Sequence, residues 1–129
     1  MTQILVVDDV PAMAEQYAYD LKRVGGYGTI VASGGDEALD ILGRDPIDCV
    51  VLDLEMPGID GYEVARRLRA DVDLADTRLV AVTGRSDEQA SALAWDAGFH
   101  DFLGKPAPVS MLLAMIRPTR EIRAIDRDA

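Results

Sequence analysis

Short apolar runs alternate along this chain with longer stretches in which apolar residues recur every three or four positions. The runs at Gln3–Val7, Gly28–Ala32, Asp48–Leu52, Arg78–Val82 and Asp101–Leu103 read as strands, and their clustered Val, Ile and Leu suit a sheet covered on both faces. Pro11–Val24 predicts a helix with Met13, Tyr17, Leu21 and Val24 on one face, Pro11 in its first turn and Gly25-Gly26 as its stop. Ser33 predicts the cap of a second helix through Leu42, burying Ala38, Leu39 and Leu42. Glu55–Ile59 is loop, because Pro57-Gly58 is turn chemistry. Asp60 then caps a third helix, with Glu63 completing a capping box and Val64 and Leu68 facing inward. Asp87–Ala97, stopped by Gly98, and Val109–Ile116 supply the fourth and fifth helices, and Pro118 is expected to end or kink the last.

Strict strand–helix alternation predicts an α/β fold, one parallel sheet with helices on both faces. Polar residues stand where four of the runs end: Asp8-Asp9, Asp53, Thr83 and Lys105. Ligands of such sheets gather outside the carboxyl ends of the strands, so these residues converge on one edge. Three carboxylates, a hydroxyl and an ammonium suit a hard cation and an anionic group. Asp53 is the expected chemical centre, since it follows an apolar strand and starts no helix. The lack of a His or Cys cluster argues against zinc, whereas carboxylate and carbonyl oxygens suit Mg²⁺.

Composition narrows the function further. A formal charge of −10 argues against nonspecific nucleic-acid binding, which needs Lys and Arg to neutralise phosphates. There are two lysines, Lys22 and Lys105, so one at a strand end stands out. The single cysteine, Cys49, permits no internal disulfide and reads as a buried small hydrophobe in a reducing cytoplasm. No run approaches membrane-span length, and Met1-Thr2-Gln3 leads straight into a strand, so neither span nor secretory leader is expected.

Taken together, Val7-Asp8-Asp9, Leu52-Asp53-Leu54-Glu55-Met56-Pro57-Gly58-Ile59-Asp60-Gly61, Val82-Thr83-Gly84 and Gly104-Lys105-Pro106 resemble the receiver domain of bacterial two-component response regulators, in family order from residue 3 to residue 116. The resemblance implies a doubly wound (βα)5 sheet in the flavodoxin-like order 2-1-3-4-5, a receiver domain over residues 1–117, and a charged tail or linker start over 118–129. It implies a signalling module rather than an enzyme. Asp53 would accept a phosphoryl group from the phosphohistidine of a sensor histidine kinase or histidine phosphotransfer protein, in a Mg²⁺-dependent reaction. Asp8, Asp9 and Asp53, with the Glu55 backbone carbonyl, would hold the ion. Lys105 is similar to the family's lysine beside the phosphoryl group, and Thr83 and Phe102 to its switch pair. Glu55 and Arg85 match two positions that influence phosphoryl lifetime, and their opposite charges predict a pair. A downstream effector or output domain is implied, and a phosphorylation-dependent dimer is admitted.

Plainer explanations compete at several positions. Asp9 serves equally as a cap for the first helix, and Asp60 is read as a cap alone. His100 is expected to be an exposed turn residue, and Trp95 to pack against a neighbouring helix. Ala107-Pro108, Pro118 and the tail arginines Arg117, Arg120, Arg123 and Arg127 depart from the family pattern near the last helix. Two other functions are weighed. A small Mg²⁺-dependent phosphatase with Asp53 as nucleophile would usually carry a second aspartate two residues on, where Glu55 stands. A flavin carrier would need a phosphate-cradling loop after the first strand, where Asp8-Asp9 would repel phosphate.

Overall fold

In the computed structural model the described residues are 2–85 and 87–128, with side chains described through residue 121. The side chains of Arg123 and Arg127 lie outside them. The elements run β1 (Gln3–Val7), α1 (Pro11–Gly25), β2 (Gly28–Ala32), α2 (Gly35–Arg44), β3 (Cys49–Leu52), α3 (Gly61–Ala70), β4 (Arg78–Thr83), α4 (Glu88–Ala97), β5 (Asp101–Gly104) and α5 (Val109–Asp128). All strand pairs are parallel and the order is β2-β1-β3-β4-β5. The expected α/β fold and strand order are observed. Val7 sits opposite both Ala32 and Leu52, and Thr83 opposite Gly104, so the carboxyl ends lie level.

Both faces of the sheet are buried, and the strand period of two divides them. Ile4, Val6, Val51, Val80 and Val82 pack with Tyr17, Leu21, Leu112 and Ile116 of α1 and α5. Leu5, Val7, Val50, Leu52, Leu79 and Ala81 pack with Ile41, Val64, Leu68 and Ala94 of the other three helices. Cys49 lies inside the first cluster, and burial pushes its thiol up to about 12, as befits an inert core residue.

Several sequence expectations need correction. Val24 does not face inward; it is 60% exposed. The buried stripe runs Ala14, Tyr17, Ala18 and Leu21, and its next position is Gly25. There a Cβ would stand within 2.7 Å of Tyr27 and Leu113 side-chain atoms, so the last turn meets α5 through a glycine. Ser33 does not cap α2, whose N-cap is Gly34; instead the Ser33 amide and hydroxyl both donate to the Glu37 carboxylate, at 3.0 and 2.7 Å. Asp9 does not cap α1: Val10 holds the N-cap position, and the Asp8 carboxylate accepts the Val10 N–H at 2.9 Å. Asp60 caps α3 as expected, accepting the Glu63 N–H at 2.9 Å. The box is only half formed, because the Glu63 carboxylate turns to Arg66 and Arg67. Gly26 (φ 71°) and Gly98 (φ 104°) end α1 and α4 in the left-handed region that glycine enters without a Cβ clash.

The largest departure is α5, which continues through Pro118 to Asp128. A proline inside a helix removes the donor to the carbonyl four residues back, here that of Ala114, and crowds the preceding turn. On the adjacent residue Arg78 ties this turn to the sheet: its Nε donates to the Met115 carbonyl at 2.9 Å, while its other arm is held by Asp101 at 2.6 Å. No helix among the described residues is long and apolar enough to cross a membrane.

Candidate functional site

Three residues of the predicted edge are held by a backbone bond just past a strand. The Asp8 N–H donates to the Ala32 carbonyl (3.2 Å), that of Asp53 to Val7 (3.0 Å), and that of Lys105 to Thr83 (2.8 Å). The sheet ladder thus runs one step beyond the strands and sets the directions of three functional side chains. Gly61 gives further support. A Cβ there would lie 2.4 Å from the Asp53 carbonyl oxygen, so only glycine lets α3 begin against the backbone of Asp53.

The side chains converge. Asp8 is 2% and Asp53 4% exposed, and the Lys105 ammonium bridges them, 2.7 Å from Asp8 Oδ2 and 3.1 Å from Asp53 Oδ2. The second oxygen of Asp53 accepts the Glu55 N–H at 3.2 Å. Asp9 is exposed, yet one carboxylate oxygen from each of Asp8, Asp9 and Asp53 lies within 4.8 Å of the others. Burial pushes the Asp53 carboxyl above the usual range, opposed by the Lys105 and Glu55 hydrogen bonds and reinforced by Asp8. Burial alone would lower Lys105, but the hydrogen bonds to Asp8 and Asp53 outweigh it and hold the ammonium above its usual value. The expected Lys105–Asp53 pair is present. The shorter Lys105–Asp8 contact is not legible in the sequence, because nothing there ranks two distant aspartates by their approach to one lysine.

Thr83 is fully buried at the end of β4, and its hydroxyl accepts the Arg85 N–H at 3.2 Å. Phe102 is half-buried on β5 and shares an open groove with Ser91, Ala92 and Trp95 of α4. Trp95 does not pack inward; it is 51% exposed, because Ala90, Ala94 and Ala97 occupy the inner face of α4. The expected Glu55–Arg85 pair does not close to a salt bridge, although Glu55 adds, after Asp87, to the negative charge that raises the Arg85 pKa. Arg85 donates instead to Asp87 at 2.8 Å and Gln89 at 3.1 Å, partners two and four residues along its own chain. His100 is exposed as expected but has structural work: its Nδ1 accepts the Leu79 N–H at 3.0 Å, with the Arg69 guanidinium 3.2 Å away. Burial, with Arg69 and Arg78 nearby, holds its pKa below the usual value.

Comparison with known proteins places this arrangement. The response regulator receiver domain family model matches residues 4–117. A response regulator MprA from Mycolicibacterium vanbaalenii is 41% identical over 115 residues, covering 89% of this chain and 48% of that protein, so the chain spans about half the length of this relative. The signal receiver domain of a signal transduction histidine kinase from Syntrophus aciditrophicus superposes with a TM-score of 0.84 at 29% identity, covering 92% of this chain and 89% of that one. A CheY-like response regulator receiver domain protein from Methanospirillum hungatei shares the fold, with a TM-score of 0.87 at 21% identity and 98% coverage of each chain. A five-stranded parallel sheet with an acidic cluster and a lysine at its carboxyl edge, matched by the family over nearly its whole length, makes this chain a member of the two-component response regulator receiver domain family.

Proposed function

We propose that this chain is the phosphoacceptor of a two-component phosphorelay, taking a phosphoryl group onto Asp53 from the phosphohistidine of a sensor histidine kinase or histidine phosphotransfer protein. One observation carries the reading: a nearly buried carboxylate, Asp53, faces one lysine and two further carboxylates where the sheet ends. The donor set fits Mg²⁺, since Asp8, Asp9, Asp53 and the Glu55 carbonyl are hard oxygens with no imidazole or thiolate among them. Bound there, Mg²⁺ supplies positive charge that screens Asp53 from an anionic phosphoryl group and stabilises charge in transfer.

The chain's own residues do the rest. An Asp53 oxygen attacks phosphorus while the P–N bond to the donor imidazole breaks, and the imidazole leaves with the electron pair. Lys105 exchanges its Asp53 contact for a phosphoryl oxygen while keeping Asp8. The Thr83 hydroxyl, a donor as well as an acceptor, turns to another phosphoryl oxygen, and Phe102 follows into the space it leaves. The changed surface is read by a downstream effector or output domain; a coupling of ~1–3 kcal/mol suffices for such a signal. Glu55 and Arg85 stand at the exposed rim without a direct salt bridge, where they govern water access to the acyl phosphate. The setting is the bacterial cytoplasm, and the chain acts by self-phosphotransfer and autodephosphorylation rather than on a separate substrate.

The test is labelling with radioactive acetyl phosphate, with and without Mg²⁺. Alkali-labile label is expected on the wild type with Mg²⁺, and none on Asp53→Asn or in EDTA. Label that persists on Asp53→Asn removes Asp53 as acceptor.

A further inference from the structure

Lys105 is followed by a segment whose support comes from far away in the sequence. Pro106 has no N–H, so the Ala107 amide is the first backbone donor after Lys105, and Ala107 is 6% exposed. A buried N–H needs a partner, and neither strand nor helix reaches this one. Its partner is the phenolic oxygen of Tyr17, which accepts it at 3.3 Å across 90 residues of sequence. Tyr17 is 6% exposed on the inner face of α1, and its ring packs in the same cluster as Ala107 and Leu103. The two ends of this connection matter. Asp8 and Asp9 lead into α1 at one end, and Lys105 lies two residues from Ala107 at the other. Lys105 Nζ already binds Asp8 at 2.7 Å, so Tyr17–Ala107 is a second tie between the same two segments. With Lys105 N–H bound to the Thr83 carbonyl at 2.8 Å, the segment is gripped from β4 on one side and α1 on the other.

We infer that Tyr17 is a positioning residue for Lys105: its hydroxyl, by holding the Ala107 amide, sets the reach of the ammonium to Asp53. This rests on the reading of Asp53 as acceptor and Lys105 as its partner. Tyr17 touches neither phosphoryl group nor metal, and acts only through the backbone that carries Lys105.

Tyr17→Phe keeps the ring and removes the acceptor. The experiment measures the rate of Asp53 labelling by acetyl phosphate in four proteins: wild type, Tyr17→Phe, Lys105→Ala and the double variant, with urea unfolding of each. A second measurement follows hydrogen exchange of the Ala107 amide in wild type and Tyr17→Phe. Tyr17→Phe should slow labelling roughly three- to tenfold, the scale of one lost hydrogen bond, and speed Ala107 exchange. In the Lys105→Ala background the same change should have no further effect on the rate. An equal slowing in both backgrounds overturns the inference, because Tyr17 would then act through the fold at large. So does unchanged labelling by Tyr17→Phe where Lys105→Ala is slow. Lys105→Ala labelled at the wild-type rate would instead overturn the reading of Lys105 itself, and unaltered Ala107 exchange in Tyr17→Phe would overturn the tie independently of any phosphotransfer.

Discussion

Removing the lysine charge should cost this protein much of its stability, in a way that depends on pH. Lys105→Met keeps most of the aliphatic stem and deletes the ammonium that stands 2.7 Å from Asp8 and 3.1 Å from Asp53. The two carboxylates, each less than 5% exposed, then face one another with oxygens no more than 4.8 Å apart. At an effective dielectric of ~20 they repel by about 3.5 kcal/mol. The pair can escape by binding one proton, which costs at most about 4 kcal/mol at pH 7, the figure for an ordinary carboxylate, because burial already raises the Asp53 carboxyl. The two figures agree, so the expected loss is ~3–4 kcal/mol, in the range for a buried charge that has lost its partner. At about pH 4.5 the proton costs less than ~1 kcal/mol, and the loss should shrink to that size. Urea unfolding followed by circular dichroism in EDTA, at both pH values, measures it. Added Mg²⁺ should restore part of the neutral-pH loss by replacing the missing cation. A loss of equal size at both pH values, or one below about 1 kcal/mol at pH 7, would refute the view that two unpaired carboxylates dominate the variant.

Asp53, Thr83 and Gly61 each allow a further test. Because burial raises the Asp53 pKa, its contribution to stability is full below the unfolded-state pKa and lost as pH rises through the folded-state value; Asp53→Asn should therefore gain on the wild type across that window in EDTA, and a gain already complete at acid pH would contradict this. Thr83→Ala should still be labelled on Asp53 but lose most of the amide shift change at Phe102 and along α4 on adding beryllofluoride, whereas a full wild-type response would sink the switch reading. Gly61→Ala places a methyl 2.4 Å from the Asp53 carbonyl and should lose ~1–3 kcal/mol together with labelling rate; unfolding within about 0.5 kcal/mol of wild type would show that the approach relaxes freely.

What the sequence reveals, and where it misleads, follows from the range of the forces involved. Strand ends are legible because runs such as Leu5-Val6-Val7 and Val50-Val51-Leu52 are local signals, and the residue after each run must lie at the sheet edge. Convergence of Asp8, Asp53, Thr83 and Lys105 then follows from topology alone. Errors arise where a local choice is settled by a distant or competing partner. Pro118 reads locally as an end or a kink of the last helix, and the helix does not end there; Arg78, far earlier in the chain, ties the turn before it to the sheet through the Met115 carbonyl. Ser33 has cap chemistry, yet it donates to Glu37 rather than accepting from the helix. Arg85 matches Glu55 on charge, but Asp87 is nearer along its own backbone. Val24 reads as inward because an apolar residue is the more obvious core candidate than Gly25, whereas close helix contact demands the smaller one.

The Arg78 anchor bears on how β4 can move. The foot of that strand is bolted on three sides: Arg78 to Asp101 at 2.6 Å, Arg78 to Met115 at 2.9 Å, and the Leu79 amide to His100 at 3.0 Å. Its head, at the far end of the strand, is Thr83, whose carbonyl accepts the Lys105 N–H at 2.8 Å and whose hydroxyl accepts the nearby Arg85 N–H at 3.2 Å. A beam clamped at its foot and tied at its head to the segment that carries Lys105 would answer a pull by bending, not by sliding. Under the proposed switch, displacement would be greatest beside Asp53, would carry the Lys105 backbone with it, and would fall away toward the opposite rim of the sheet.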